Sequence, residues 1–247
     1  MANPASELPA GPERRMHSAA GLRIETRAAA EEGQPARRQI VGSAVVFDQE
    51  TTIYEGRYFS FREVIRPGAF TNALKEKQDV RALFNHDPNF VLGRTRSGTL
   101  ELTQTDTSLD YSIDAPDTQT VRDMVETPIE RGDVSGSSFA FTPRLADKIT
   151  RTENADGTVI IDRGGDRISE RIEGERTIQL REVLDANIFD VSPVTYPAYK
   201  GTDVSLRAAE LPAEFRALIE EKDKPARRSA PVREQFRQYL EAAAKTA

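Results

Sequence analysis

Apolar and polar residues alternate along much of the middle of this chain with the period of two that a strand with one buried face requires. Residues 22–26, 40–47, 61–65, 79–84, 91–94, 99–103, 109–113, 138–141, 178–184 and 187–194 each carry this pattern or a short β-branched run. Gly42 interrupts the second run and predicts a bend or bulge there. Pro67 and Gly68 mark a turn into a short helix ending near Lys75, and Asp87-Pro88-Asn89 reads as a turn after the strand at 79–84. Helical spacing appears over residues 117–130, where Val121, Met124, Val125 and Ile129 recur on one face, with Pro128 expected to break or shift the end. About eight to ten short strands with so few helices predict a mainly β, α+β domain, an antiparallel closed β-barrel with helices packed outside it.

The flanks read differently. Residues 1–20 are Pro, Ala, Gly and charged types without period, which predicts a flexible leader. The barrel domain is expected over 21–203. Within it, 144–175 is highly charged and carries Asp156-Gly157 and Gly164-Gly165, so it is expected to form an exposed excursion of one or two hairpins. Residues 204–247 contain two charged, helix-like stretches, 206–221 and 233–244, separated by Lys224-Pro225-Ala226, and are expected to form a helical tail.

Composition narrows the chemistry. The 247 residues include no cysteine, which removes disulfides, thiolate metal sites and a cysteine nucleophile. The net charge of −6 comes from 34 basic and 40 acidic residues interspersed along the chain, without the basic stripe that binds nucleic acid. No stretch approaches the ~20 apolar residues of a membrane helix, and the first residues lack the basic start and apolar centre of a secretory signal. A soluble, cytoplasmic protein is the expectation, with neither nucleic acid nor membrane as partner.

Of the two histidines, His17 falls in the leader and His86 follows the patterned run Leu83-Phe84-Asn85. Histidine exchanges a proton near neutrality, which suits a general base. Nucleophilic chemistry would fall to serine, threonine or lysine, and Gly132-Asp133-Val134-Ser135-Gly136-Ser137-Ser138-Phe139-Ala140-Phe141 offers three serines on a glycine turn that feeds a strand. If Phe139 and Phe141 face the core, Ser138 and the small Ala140 face the other way, leaving room for a substrate beside the hydroxyl. The strand ending at His86 and the strand at 138–141 are expected to be neighbours. The plain alternative is a Gly-Ser loop leading into an ordinary strand.

Four blocks in order then resemble the tailed-phage prohead serine protease family: Arg66-Pro67-Gly68-Ala69-Phe70; Asn85-His86-Asp87 followed by Leu92-Gly93-Arg94; Ser135-Gly136-Ser137-Ser138-Phe139-Ala140-Phe141; and Asp190-Val191-Ser192-Pro193-Val194-Thr195-Tyr196-Pro197-Ala198-Tyr199. The resemblance runs from about residue 40 to 202. It implies a fold similar to herpesvirus assemblin, with His86 as base and Ser138 as nucleophile. The family's third member is a carboxylate, usually glutamate before the Val-Ser-Pro-Val block. Asp190 stands there in this chain, and Asp87 and Glu182 remain alternatives.

The resemblance further implies a serine endopeptidase acting inside the assembling prohead in the host cytoplasm, encoded by a phage or prophage. Scaffold and the N-terminal segment of the major capsid protein would be its substrates, with autocleavage, and a dimer follows by analogy of fold. A serine and histidine mechanism calls for no metal or organic cofactor. The oxyanion donors stay open between backbone amides near Ser138 and a water held by an arginine such as Arg181. Two other classes remain open: a non-enzymatic capsid assembly or scaffold module, and a small-molecule serine esterase.

Overall fold

The computed structural model describes residues 12–18, 21–27, 37–196, 219–220 and 222–223. Its strands form three sheets. The first holds the order β1 (Glu13–Ser18), β10 (Gly136–Pro143), β15 (Ala186–Val194), β6 (Arg81–Phe84) and β7 (Asp87–Arg94). The second runs β11 (Leu145–Glu153), β12 (Val159–Gly164), β13 (Asp166–Glu173), β14 (Arg176–Val183), β5 (Phe59–Ile65) and β4 (Thr51–Glu55). The third is β2 (Arg23–Arg27), β3 (Arg37–Val46), β9 (Ser108–Ile113) and β8 (Leu100–Gln104). Two pairings are parallel, β14 with β5 and β15 with β6, and the rest are antiparallel.

The mainly β, α+β class is as expected, but among the described residues the ladders do not close into a barrel. Register breaks at Ser43/Val45, Ala82/Leu83, Leu83/Phe84 and Ala140/Phe141 coil the sheets over a common core, and packing takes the place of hydrogen bonds between them. Phe70 is fully buried there, edge-on to Phe139 at 6.1 Å and near Phe47 at 6.5 Å. The bend expected at Gly42 falls just beyond it, at Ser43/Val45. Gly42 itself gives room to Tyr111, whose hydroxyl would lie 2.8 Å from an added Cβ. That hydroxyl in turn shares a hydrogen bond of 2.7 Å with Ser137.

Helix α1 (Thr71–Lys75) follows the Pro67-Gly68 turn as expected. Helix α2 runs from Gln119–Val121 through a π-helical turn, Arg122–Glu126, into Thr127–Arg131 and stops at Gly132 in the left-handed region. Pro128 does not break it. The wider π turn lies directly before the proline, where the ring would otherwise crowd the carbonyl four residues back.

Several expectations are corrected. Glu13–Ser18, read as flexible leader, is β1 and pairs with residues 136–141 of β10. The hairpin turn after β6 is Asn85-His86, with φ of 53° and 56°, and Asp87-Pro88-Asn89 already belongs to β7. Gly136 and Ser137 lie in β10 and not in a turn, so the strand expected at 138–141 starts two residues earlier. The 144–175 segment forms three of the six strands of the second sheet, and it is not wholly exposed, since Arg163 and Asp166 are buried. The tail falls largely outside the described residues. Of it, Ile219 joins a second small core with Ile53, Phe59 and Phe61, and the Asp223 carboxylate accepts from the Tyr54 hydroxyl and the Tyr58 and Phe59 amides.

Phe70→Ala should destabilise the fold by about 3–5 kcal/mol, the usual cost of emptying a fully enclosed phenylalanine site. Urea denaturation of the variant against the parent chain measures it, and a loss under about 1 kcal/mol contradicts this packing.

Candidate active site

Three elements of the first sheet bring the sequence-predicted residues together. Ser138 lies in β10, Asp190 in β15, and His86 in the turn between β6 and β7. The His86 and Ser138 strands are not neighbours, as the sequence suggested, because β15 runs between them, parallel to β6. The imidazole therefore has to reach back across β15.

The Asn85-His86 turn allows this reach. Both residues adopt the left-handed conformation of a type I′ hairpin, which asparagine tolerates better than most side chains. Asn85 is fastened to the end of β15 by three contacts: its amide donates to the Pro193 carbonyl at 3.1 Å, its side-chain Nδ2 to Thr195 Oγ1 at 3.0 Å, and its Oδ1 accepts from the Thr195 amide at 2.9 Å.

The result is a continuous chain of polar atoms. His86 Nδ1 is 2.5 Å from Asp190 Oδ1, and His86 Nε2 is 2.5 Å from Ser138 Oγ. A carboxylate can only accept, so Nδ1 carries the ring proton and Nε2 is left to accept from the serine hydroxyl. The His86 side chain is 9 % exposed and that of Asp190 11 %, so the contacts lie mostly out of water, where such bonds are stronger. Of the two alternative carboxylates, Asp87 caps its own strand by accepting from the Asn89 amide, and Glu182 pairs with Arg66. Asp190 is the one at the ring.

Ser192 was not singled out in the sequence, yet its hydroxyl donates to Asp190 Oδ1 at 3.1 Å and lies 3.3 Å from His86 Nδ1. The signal was present: period-two alternation puts residues 190 and 192 on the same face of β15. Facing across the sheet, Ser192 is the cross-strand partner of Ser138.

On the other side of β10, β1 lies over the nucleophile. Met16 is opposite Ser138, the Arg15 carbonyl oxygen is 3.0 Å from Ser138 Oγ, and Ser138 has no exposed surface. β1 is anchored by charge. Glu13 accepts from Arg181 on both oxygens, at 2.7 and 2.8 Å, and from Arg15 at 2.7 Å; Arg15 also donates to Glu63 at 2.6 and 2.9 Å. Arg181 donates further to Glu63 and to Asp166, which binds Arg163. The Arg181 of the oxyanion alternative is thus engaged by carboxylates of β1, β5 and β13. Burial opposes ionisation of Glu13, but the charges of Arg181 and Arg15 and their hydrogen bonds outweigh it and bring its pKa down from 4.5 to about 2.

No curated protein matches the chain. Among solved structures, the bacteriophage T4 capsid assembly protease, gp21, is similar at 12% identity and a TM-score of 0.39, covering 74% of this chain and 98% of that one.

The lowered Glu13 pKa makes the docking of β1 acid-sensitive. Its contribution is complete above the unfolded value near 4.5 and is lost as pH falls toward about 2. Hydrogen-exchange protection of the β1 amides should drop over that window relative to β14, and Glu13→Gln should lower it already at neutral pH; unchanged protection in both cases contradicts this anchoring. A model of the Caudovirus prohead serine protease family matches residues 23–214, more than half of the chain, and this protein belongs to that family.

Proposed function

We propose that the chain is a serine endopeptidase of the Ser-His-acid type, with Ser138 as nucleophile, His86 as general base and acid, and Asp190 as the carboxylate that orients the ring. The observation that carries this reading is the unbroken chain of contacts from Ser138 Oγ through His86 to Asp190, each of 2.5 Å, built from three separate elements of one sheet. Ser138 Oγ adds to the scissile carbonyl carbon as its proton passes to His86 Nε2. The imidazolium then gives that proton to the leaving amine. Asp190 stabilises the imidazolium and fixes its tautomer, and Ser192 holds the Asp190 oxygen in place. A water activated by the same histidine hydrolyses the ester.

Membership of the prohead protease family points to scaffold and the N-terminal segment of the major capsid protein as substrates, cleaved inside the prohead of a phage-infected cell. A peptide substrate is favoured over a small ester because the edge of β10 that β1 occupies accepts a whole extended strand, pairing six consecutive residues of β1. A purely structural module would have no need of a hydroxyl, an imidazole and a carboxylate in line and out of water.

Ser138→Ala and His86→Ala should each abolish processing of the capsid protein in a co-expression assay, with circular dichroism unchanged. Asp190→Asn should lower kcat by about 10⁴-fold, because the amide favours the wrong tautomer. Normal processing by either of the first two variants removes that residue from the mechanism, and turnover of small esters without any peptide cleavage favours the esterase reading.

A further inference from the structure

On the second sheet, the turn between β4 and β5 is not closed by its own strands. Gly56 N donates to the Phe59 carbonyl at 2.8 Å, but the groups that would return the bond turn to outside partners. The Gly56 carbonyl accepts from Arg176 at 2.5 Å, and the amides of Tyr58 and Phe59 both donate to Asp223 Oδ1, at 2.7 and 3.1 Å. The Tyr54 hydroxyl donates to the other oxygen of that carboxylate at 2.7 Å. Two successive amides and a hydroxyl converging on one carboxylate form a nest for an anion. Gly56 leaves the space for it: an added Cβ would overlap all three atoms of the Asp223 carboxyl group, and since its φ is not positive, the glycine serves this approach and not the turn itself.

The rest of the contact is as particular as the carboxylate. Ile219 is buried with Ile53, Phe59 and Phe61, and the break in register between Thr52 and Tyr54 lets the neighbouring residues Ile53 and Tyr54 both take part. Lys222 pairs with Glu170 of β13, and its ammonium lies 5.8 Å from the centre of the Phe59 ring. The Asp223 amide donates to the Ile219 carbonyl at 2.8 Å, so these two residues stand on the same face of one helical turn. A single turn does not persist in water by itself, and the hairpin supplies what holds it. Burial, together with the hydrogen bond and charge of Asp223, pushes the Tyr54 hydroxyl up to about 12, so it remains a donor.

From this geometry we infer that the β4–β5 hairpin is a peptide-docking site, that its ligand is one helical turn with an aliphatic residue four positions before an aspartate, and that Ile219 and Asp223 of the chain's own tail occupy it. The site uses none of Ser138, His86 or Asp190 and is independent of the endopeptidase reading. Its ligand is a peptide and not a free anion, because a carboxylate alone would leave Ile53, Phe59 and Phe61 uncovered. A segment tethered to the same chain competes at an effective concentration on the order of 1 mM. The tail therefore keeps the hairpin closed to a dilute partner of the same pattern, and its release opens it.

A labelled peptide with the sequence of residues 217–225 tests this by fluorescence polarisation. The full chain carrying Ile219→Ala and Asp223→Ala, whose own tail no longer fills the site, should bind the peptide at least about 10-fold more tightly than the wild-type chain does. Asp223→Asn in the peptide, or Gly56→Ala added to the protein variant, should each weaken binding about 10-fold or more, the usual loss when hydrogen bonds to a charged group are removed. Hydrogen exchange of the Tyr58 and Phe59 amides should quicken about 10-fold in the full chain with Asp223→Ala alone, with β10 unchanged, and this readout decides the matter whatever the stability of the double variant. Equal binding to wild type and variant puts the peptide elsewhere and overturns the inference. So does a folded variant that binds no peptide, binding indifferent to Asp223→Asn and Gly56→Ala, or unchanged exchange at Tyr58 and Phe59.

Discussion

The reach of His86 across β15 is the constraint on which the site depends. Adjacent strands lie about 4.8 Å apart, so a side chain on β6 is roughly 10 Å from the strand that bears Ser138. No residue within β6 could close that gap and also meet Asp190 on the strand between. The turn closes it by placing two consecutive residues, Asn85 and His86, in the left-handed region, at a cost of order 1 kcal/mol for each non-glycine residue. The three contacts from Asn85 to Pro193 and Thr195 offset that cost and fix the turn to the same strand that carries Asp190 and Ser192. The ring, the carboxylate and the hydroxyl that steadies it thus share one rigid support.

Much of this was legible in the sequence, for reasons that differ by residue. The strands at β3, β5, β9 and β15 follow apolar alternation, which depends only on one face being buried. Ser138 was reached from the Phe139 and Phe141 alternation, and both rings do face the core. Asp190 was reached only through the family resemblance, from its place before Val191-Ser192-Pro193-Val194, with Asp87 and Glu182 left open. Pairing order was not legible: nothing local states that β15 comes between β10 and β6, since long-range pairing is settled by the whole core. The π turn before Pro128 was likewise hidden, because it is a response of the backbone to the proline and leaves the apolar spacing intact.

β1 escaped detection for a physical reason. Glu-Arg-Arg-Met-His-Ser has no apolar alternation, and a hydropathy reading treats it as solvated chain. Its alternation is in charge. Glu13 is 5 % exposed, as buried as a core residue, because every oxygen of its carboxylate is taken by a guanidinium. The same holds for Arg163 and Asp166 in the segment expected to be exposed. Paired charges can enter an interior that isolated ones cannot, so a period-two pattern of opposite charges is a strand signal of its own.

That charge pattern also sets the register of β1 on β10. The wall of Arg163, Asp166, Arg181 and Glu63 is neutral, and adding Glu13 and Arg15 keeps it neutral with each group between opposite signs. A slip of one residue would turn both side chains to the wrong face. A slip of two would set a carboxylate against Glu63 or a guanidinium against Arg181, and like charges in a site this dry repel strongly. Only one alignment satisfies all the pairs, and in that alignment the Arg15 carbonyl oxygen lies 3.0 Å from Ser138 Oγ. A cluster that contributes little net stability, because its desolvation cancels most of its attraction, can therefore still determine which residues of β1 cover the nucleophile.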